Sequence, residues 1–163
     1  MVEIRKAINR KDYETIADLG FIIWTEYYTP IIGSDQVTYM LDKFQSAQAI
    51  EAQIKEGYNC FLTLYNKKEV GYLSIVQREK SLFLSKIYVL EARRGLGIGK
   101  FAMDFVQQIA KESSLNSISL TVNKHNLNSI KAYEKMGFVK VDELVIEIGN
   151  GFIMDDFKMV KPI

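Results

Sequence analysis

The sequence predicts an α/β fold: one domain spanning residues 1–163, with a mixed, mostly antiparallel sheet of about seven strands flanked by helices. Three observations carry this expectation. Helical spacing dominates the chain up to Gly57. Strand patterns then follow one another through three consecutive runs. Beyond these, strands and helices alternate before a closing hairpin, so parallel and antiparallel pairing must coexist.

The elements follow in order. "VEIRKA" alternates and reads as the first strand. "NRKDYETIADLGFIIWTEYY" reads as a helix, with Asp12 as a candidate N-cap and Ile16, Leu19, Ile23 and Tyr27 on one face. Pro30 and Gly33 close it. "SDQVTYMLDKF" spaces Val37, Met40, Leu41 and Phe44 as a helix does, with Ser34 as a candidate cap. "SAQAIEAQIKEG" is a third helix, ended by Gly57. "NCFLTLY" and "VGYLSIVQRE" are strands about the turn "NKKE", and the near-continuous apolar run "SLFLSKIYV" predicts a central strand. "KFAMDFVQQIAKESS" follows as a helix with Phe101, Phe105, Val106 and Ile109 on one face. "SISLTV" is a strand, "NSIKAYEKM" a short helix ended by Gly137, and "FVKVDELVIEI" and "FIMDDFKMV" are strands joined through "GNG".

Composition narrows the function. Lysine and arginine total 21 against 20 acidic residues, a balance that argues against a nucleic-acid-coating protein. No apolar run is long enough to span a bilayer, and the first residues carry no secretory pattern, so a cytoplasmic protein without a membrane partner is expected. The single cysteine, Cys60, cannot form an internal disulfide and reads as a buried strand residue. The single histidine, His125, excludes a multi-histidine metal site, and no loop is spaced for an all-carboxylate one; no metal is expected.

The stretch "RRGLGIGK" (93–100) joins the predicted central strand to a helix. The first helical amides have no intrahelical partner, the helix dipole adds positive charge, and glycines admit close backbone approach. Leu96, Gly97, Ile98, Gly99 and Lys100 would present amides to an anion, with Arg94 or Lys100 adding charge. A magnesium-nucleotide loop needs Ser or Thr after the lysine, where Phe101 stands. A dinucleotide fingerprint needs G-x-G-x-x-G, whereas Gly95, Gly97 and Gly99 alternate. A phosphate cradle of another kind, or a plain turn, remains.

A second segment, "TVNKHNLNSIKAYEKMGF" (121–138), gives the cradle an owner. Arg94-Gly95-Leu96-Gly97-Ile98-Gly99 fits [RQ]-x-x-G-x-[GA], and with the second segment it resembles the GNAT superfamily of acetyl-coenzyme A-dependent N-acetyltransferases. The resemblance is clear from Leu82 to Phe138. It implies a sheet splayed at its centre and acetyl-CoA as co-substrate. It implies that Arg94, Gly95 and the loop amides from Leu96 to Lys100 hold the pyrophosphate. It implies that Ile87, Tyr88 and Val89 pair with the pantetheine arm, next to a strand bulge that aims an amide at the thioester carbonyl. Asn126 matches the asparagine that contacts this arm, Asn128 and Ser129 would line the same channel, and Tyr133 matches the tyrosine that protonates the leaving thiolate. Read from periodicity alone, Tyr133 is an amphipathic core residue sharing a face with Ile130 and Gly137.

The sequence departs from the family pattern at one place. Many relatives carry a glutamate on the strand before the loop, where this chain has Ser85 and Lys86. Glu26 is the substitute candidate for the catalytic base, and Trp24, Tyr27, Tyr28 and Tyr88 are candidates for an aromatic acceptor pocket. Glu26, Asp35 and Asp42 favour a cationic acceptor, and the layout is similar to bacterial polyamine acetyltransferases. The expected partner is a small amine or a peptide, with a homodimer compatible. The alternative is a non-catalytic acyl-CoA sensor that keeps the cradle without the chemistry.

Overall fold

The computed structural model describes residues 1–163. The strands are β1 (Val2–Lys6), β2 (Asn59–Tyr65), β3 (Lys68–Arg78), β4 (Ser81–Val89), β5 (Ser117–Asn123), β6 (Val139–Gly149) and β7 (Phe152–Pro162). They form one seven-stranded sheet in the order β1-β2-β3-β4-β5-β7-β6, with β4 fourth, as its apolar run predicts. The helices are α1 (Arg10–Tyr27), α2 (Thr29–Ile32), α3 (Ser34–Met40), α4 (Ala47–Lys55), α5 (Ile98–Glu112) and α6 (Leu127–Lys135). A π-helical turn, Leu41–Gln45, continues α3. The β4–β5 pair is parallel, while β1–β2, β2–β3, β5–β7 and β6–β7 are antiparallel. No helix is long and apolar enough to cross a membrane. The chain makes two compact units: Met1–Val76 with Lys86–Val106, and Gln77–Ser85 with Gln107–Ile163.

In the first unit, α1 is capped by Asn9, not by Asp12 as the sequence suggests. The Asn9 side chain accepts from the Asp12 amide at 3.0 Å, and Asp12 accepts in return from the Ile8 amide at 3.0 Å and from Arg5 at 2.8 Å. This is close to a capping box, with the acid at the third helical position reaching back to the residue before the cap. Burial works to raise the Asp12 pKa, but Arg5 and the amides prevail and hold it below the ordinary value. Ile16, Leu19 and Ile23 then bury against Ile50, Leu62, Leu64 and Tyr72. Each such aliphatic side chain contributes roughly 1.5–3 kcal/mol on leaving water. Gly20 is required here, because a Cβ would lie 2.9 Å from the Tyr72 hydroxyl, which donates to Gln45 at 2.8 Å. Ser34 makes no cap; Gly33 takes that position with φ 87° and has no side chain to offer. Ser46 does cap α4, accepting from the Ala49 amide at 3.1 Å.

The face of α5 also differs from the periodicity reading. Ile98, Ala102, Met103, Val106 and Ala110 are buried, while Phe101 is 44% exposed. Two of these buried residues are alanines, so the stripe is read poorly from large apolar side chains alone. In the second unit, Ile118, Leu120, Val122, Phe138 and Met159 are buried. The β6–β7 hairpin closes through Gly149, Asn150 and Gly151 at φ 98°, 55° and 79°, conformations that explain the "GNG".

Candidate active site

The first unit supplies a backbone cradle. After β4 the chain makes a single 3₁₀ turn, Glu91–Arg93, then passes Gly95 and Gly97 at φ 81° and 78°. The Gly97 carbonyl accepts from the Phe101 amide at 3.0 Å, which starts α5 and leaves the amides of Ile98, Gly99 and Lys100 as its first-turn donors. A Cβ built on Gly95, Gly97 or Gly99 meets nothing within 4 Å, so the space before these amides is open to a ligand. Two nitrogen-rich side chains flank it differently. The Lys100 ammonium is held by Asp104 at 2.8 Å, whereas Arg94 is exposed and its guanidinium lies 4.6 Å from the centre of the Tyr27 ring. The residues and open space fit a pyrophosphate: donors at a helix start, glycines without Cβ obstruction, and a guanidinium nearby.

The end of β4 adjoins this loop. Ile87, Tyr88 and Val89 are half-buried. The Leu90 amide donates to the Val70 carbonyl at 2.8 Å, and a Cβ on Gly71 would collide with the Tyr88 carbonyl oxygen. Sequence reasoning passed over Gly71, although a glycine inside an apolar strand signals close backbone approach. Trp24, Tyr27, Tyr28 and Tyr88 do come together: Trp24 stacks on Tyr28 at 4.4 Å, Tyr27 meets Tyr28 at 5.2 Å, and Tyr88 lies 5.7 Å from Trp24. Glu26 is exposed on the last turn of α1.

Lys86, at the departure from the family pattern, is 5% exposed. Burial lowers its pKa to about 8, partly opposed by the charge Cys60 would carry as a thiolate. Cys60 is buried, as expected, and its thiol lies 3.4 Å from the Ser74 hydroxyl; burial raises its pKa.

The remaining residues singled out by the sequence lie in the second unit. Asn126 is buried and caps α6, accepting from the Ser129 amide at 3.3 Å. Asn128 and His125 are exposed and Ser129 is half-buried. Tyr133 is half-buried, with its ring 5.8 Å from that of Phe138. The structure adds a residue the sequence reading did not single out. Asp156, on β7, is 5% exposed, and its pKa rises to about 6 through burial first and the neighbouring charge of Asp155 second. The available signal was an acid at an inward position of the strand "FIMDDFKMV".

A central strand runs into a glycine cradle at a helix start, and a capped helix bearing Tyr133 follows later in the chain. Residues 20–138 match the model of the acetyltransferase (GNAT) family, and the chain belongs to that family. The fold is similar to PaiA N-acetyltransferase from Thermoplasma acidophilum, solved in complex with coenzyme A (20% identity, 100% of this chain and 99% of that one, TM-score 0.81). It is also similar to a GNAT acetyltransferase from Staphylococcus aureus Mu50 (21% identity, 99% of each chain, TM-score 0.73). A third likeness is to ribosomal-protein-alanine N-acetyltransferase from Brucella melitensis (22% identity, 99% of each chain, TM-score 0.70). The protein is an acetyltransferase of the GNAT family.

Proposed function

We propose that residues 1–163 act as one GNAT domain that transfers the acetyl group to a primary amine of a small, cationic acceptor, by direct attack in a ternary complex. Acetyl-CoA supplies an activated acyl carbon and a thiolate leaving group. The observation that carries the reading is the open cradle: Ile98, Gly99 and Lys100 amides at the start of α5, with Gly95 and Gly97 at positive φ. Arg94, its guanidinium over the Tyr27 ring, adds charge, whereas Lys100 is paired with Asp104. Ile87 and Val89 offer strand backbone to the amides of the pantetheine arm, with Tyr88 between them. The family resemblance assigns Asn126, Asn128 and Ser129 to the same arm.

Tyr133 gives its phenolic proton to the departing thiolate, a role a group neutral at pH 7 can fill. The acceptor arrives as an ammonium and must lose a proton. Glu26 is the sequence's candidate for that step; exposed as it is, it would act through water. Its charge, with those of Asp35 and Asp42, supports a polycation such as a polyamine over a neutral amine. A peptide amine is the narrower alternative.

The test is release of free thiol from acetyl-CoA across an amine panel that includes spermidine. Acceptor-dependent release with a primary polyamine is expected. Tight coenzyme A binding with no release on any amine would favour a sensor, a reading supported by Lys86 standing where a carboxylate is usual.

A further inference from the structure

Arg94 is held at both ends, and every contact lies within the first unit. Its backbone closes the 3₁₀ turn after β4, with its amide donating to the Glu91 carbonyl at 3.1 Å, and stands extended at φ −71° and ψ 154° just before Gly95. Its guanidinium carbon lies 4.6 Å from the centre of the Tyr27 ring. That ring is itself braced. Tyr27 is the last residue of α1, whose final turn is closed by the Tyr28 amide donating to the Trp24 carbonyl at 2.9 Å. Tyr27 meets Tyr28 edge-on at 5.2 Å, and Tyr28 stacks on Trp24 at 4.4 Å. Trp24 is buried, so this row of rings runs from the interior out to the guanidinium.

We propose that Tyr27 is a positioning residue for the cofactor: its ring stations the Arg94 guanidinium beside the glycine cradle, ready for the pyrophosphate. The inference rests on the reading above that Arg94 serves that pyrophosphate. The sequence places Tyr27 among the candidates for an acceptor pocket; its contact with Arg94 gives it to acetyl-CoA instead.

The two cations of the loop are held in different ways. Lys100 gives its ammonium to Asp104 at 2.8 Å, so a phosphate must compete with a carboxylate for it. A ring attracts a guanidinium through its π face, and the N–H fork stays available to phosphate oxygens. An exposed arginine also samples many rotamers, and a ligand that captures it must freeze them. The Tyr27 ring restricts them before the ligand arrives, which raises affinity without adding a contact to the ligand.

The test measures coenzyme A affinity by calorimetry in the wild type, Arg94→Ala, Tyr27→Leu, Tyr27→Phe and the double variant Arg94→Ala/Tyr27→Leu. Arg94→Ala should weaken binding about 30-fold. Tyr27→Leu should weaken it about fivefold, and Tyr27→Phe, which keeps a ring, should stay within about twofold of the wild type. In the Arg94→Ala background, Tyr27→Leu should change affinity by less than about 1.5-fold. A loss on Tyr27→Leu that persists in full without Arg94 would overturn the proposal. So would Tyr27→Leu at wild-type affinity beside a weakened Arg94→Ala, an outcome that leaves the cradle reading standing. Arg94→Ala at wild-type affinity would overturn the pyrophosphate role of Arg94 and this inference with it. A second readout uses the wild type alone: the Arg94 Nε proton should resonate upfield through the Tyr27 ring current, and a random-coil position would also overturn the assignment.

Discussion

Lys86 and Asp156 are both buried strand residues whose pKa values burial moves toward neutrality, one down to about 8 and the other up to about 6. Their settings differ. Lys86 belongs to the first unit, in the same interior as the buried Cys60 and Ser74. Asp156 belongs to the second, beside the Thr121 hydroxyl and the charge of Asp155. A perturbed pKa alone therefore does not mark chemistry; it marks burial, and access decides what the group can do. The candidate residues of the units differ as well: in the first they are backbone amides shaped by glycine, and in the second they are side chains such as Asn126 and Tyr133.

Breaking the backbone half should cost most. Gly97→Val forces a β-branched residue into φ 78° and fills open space before the helix amides. Coenzyme A affinity should fall by about 100-fold or more, as read by calorimetry, with far-UV dichroism unchanged. Tyr133→Phe attacks the side-chain half: kcat should drop by about 100-fold while coenzyme A binding stays within about twofold. Equal losses in both quantities would erase the division between the halves.

Lys86→Met sharpens the contrast between the buried groups. With its folded pKa lowered from 10.5 to about 8, the wild type holds fewer protons folded than unfolded between those values. Its stability should therefore rise with pH through that window, and below it the charged amine is a fixed cost on the order of 3 kcal/mol. The variant should be more stable at neutral pH and lose this pH dependence in denaturant titrations. Asp156 has the opposite sign. Raised from 3.8 to about 6, it favours the folded state below pH 4 and loses that contribution as pH rises through 6, a slope absent from Asp156→Asn. The smallest expected effect is at Asn9, where Asn9→Ala should cost about 1 kcal/mol of stability without touching coenzyme A binding.

Much of this molecule is legible in its sequence because local rules agree with the fold there. The apolar run of β4 predicts its central place and the "GNG" turn its hairpin. The rest depends on tertiary context. Asn9 outcompetes Asp12 as cap because Asp12 is drawn inward by Arg5 and the Ile8 amide. The buried stripe of α5 runs through alanines, which periodicity weighs lightly. The burial of Lys86 and Asp156 follows from strand pairing, which no single segment encodes.

The most direct measurement is of the backbone amides themselves. With ¹⁵N-labelled protein, adding coenzyme A should shift the resonances of Ile98, Gly99 and Lys100 strongly, and pantetheine, which lacks the pyrophosphate, should leave them in place. Shifts of equal size with both ligands, or none at these three residues, would contradict the assignment of the cradle.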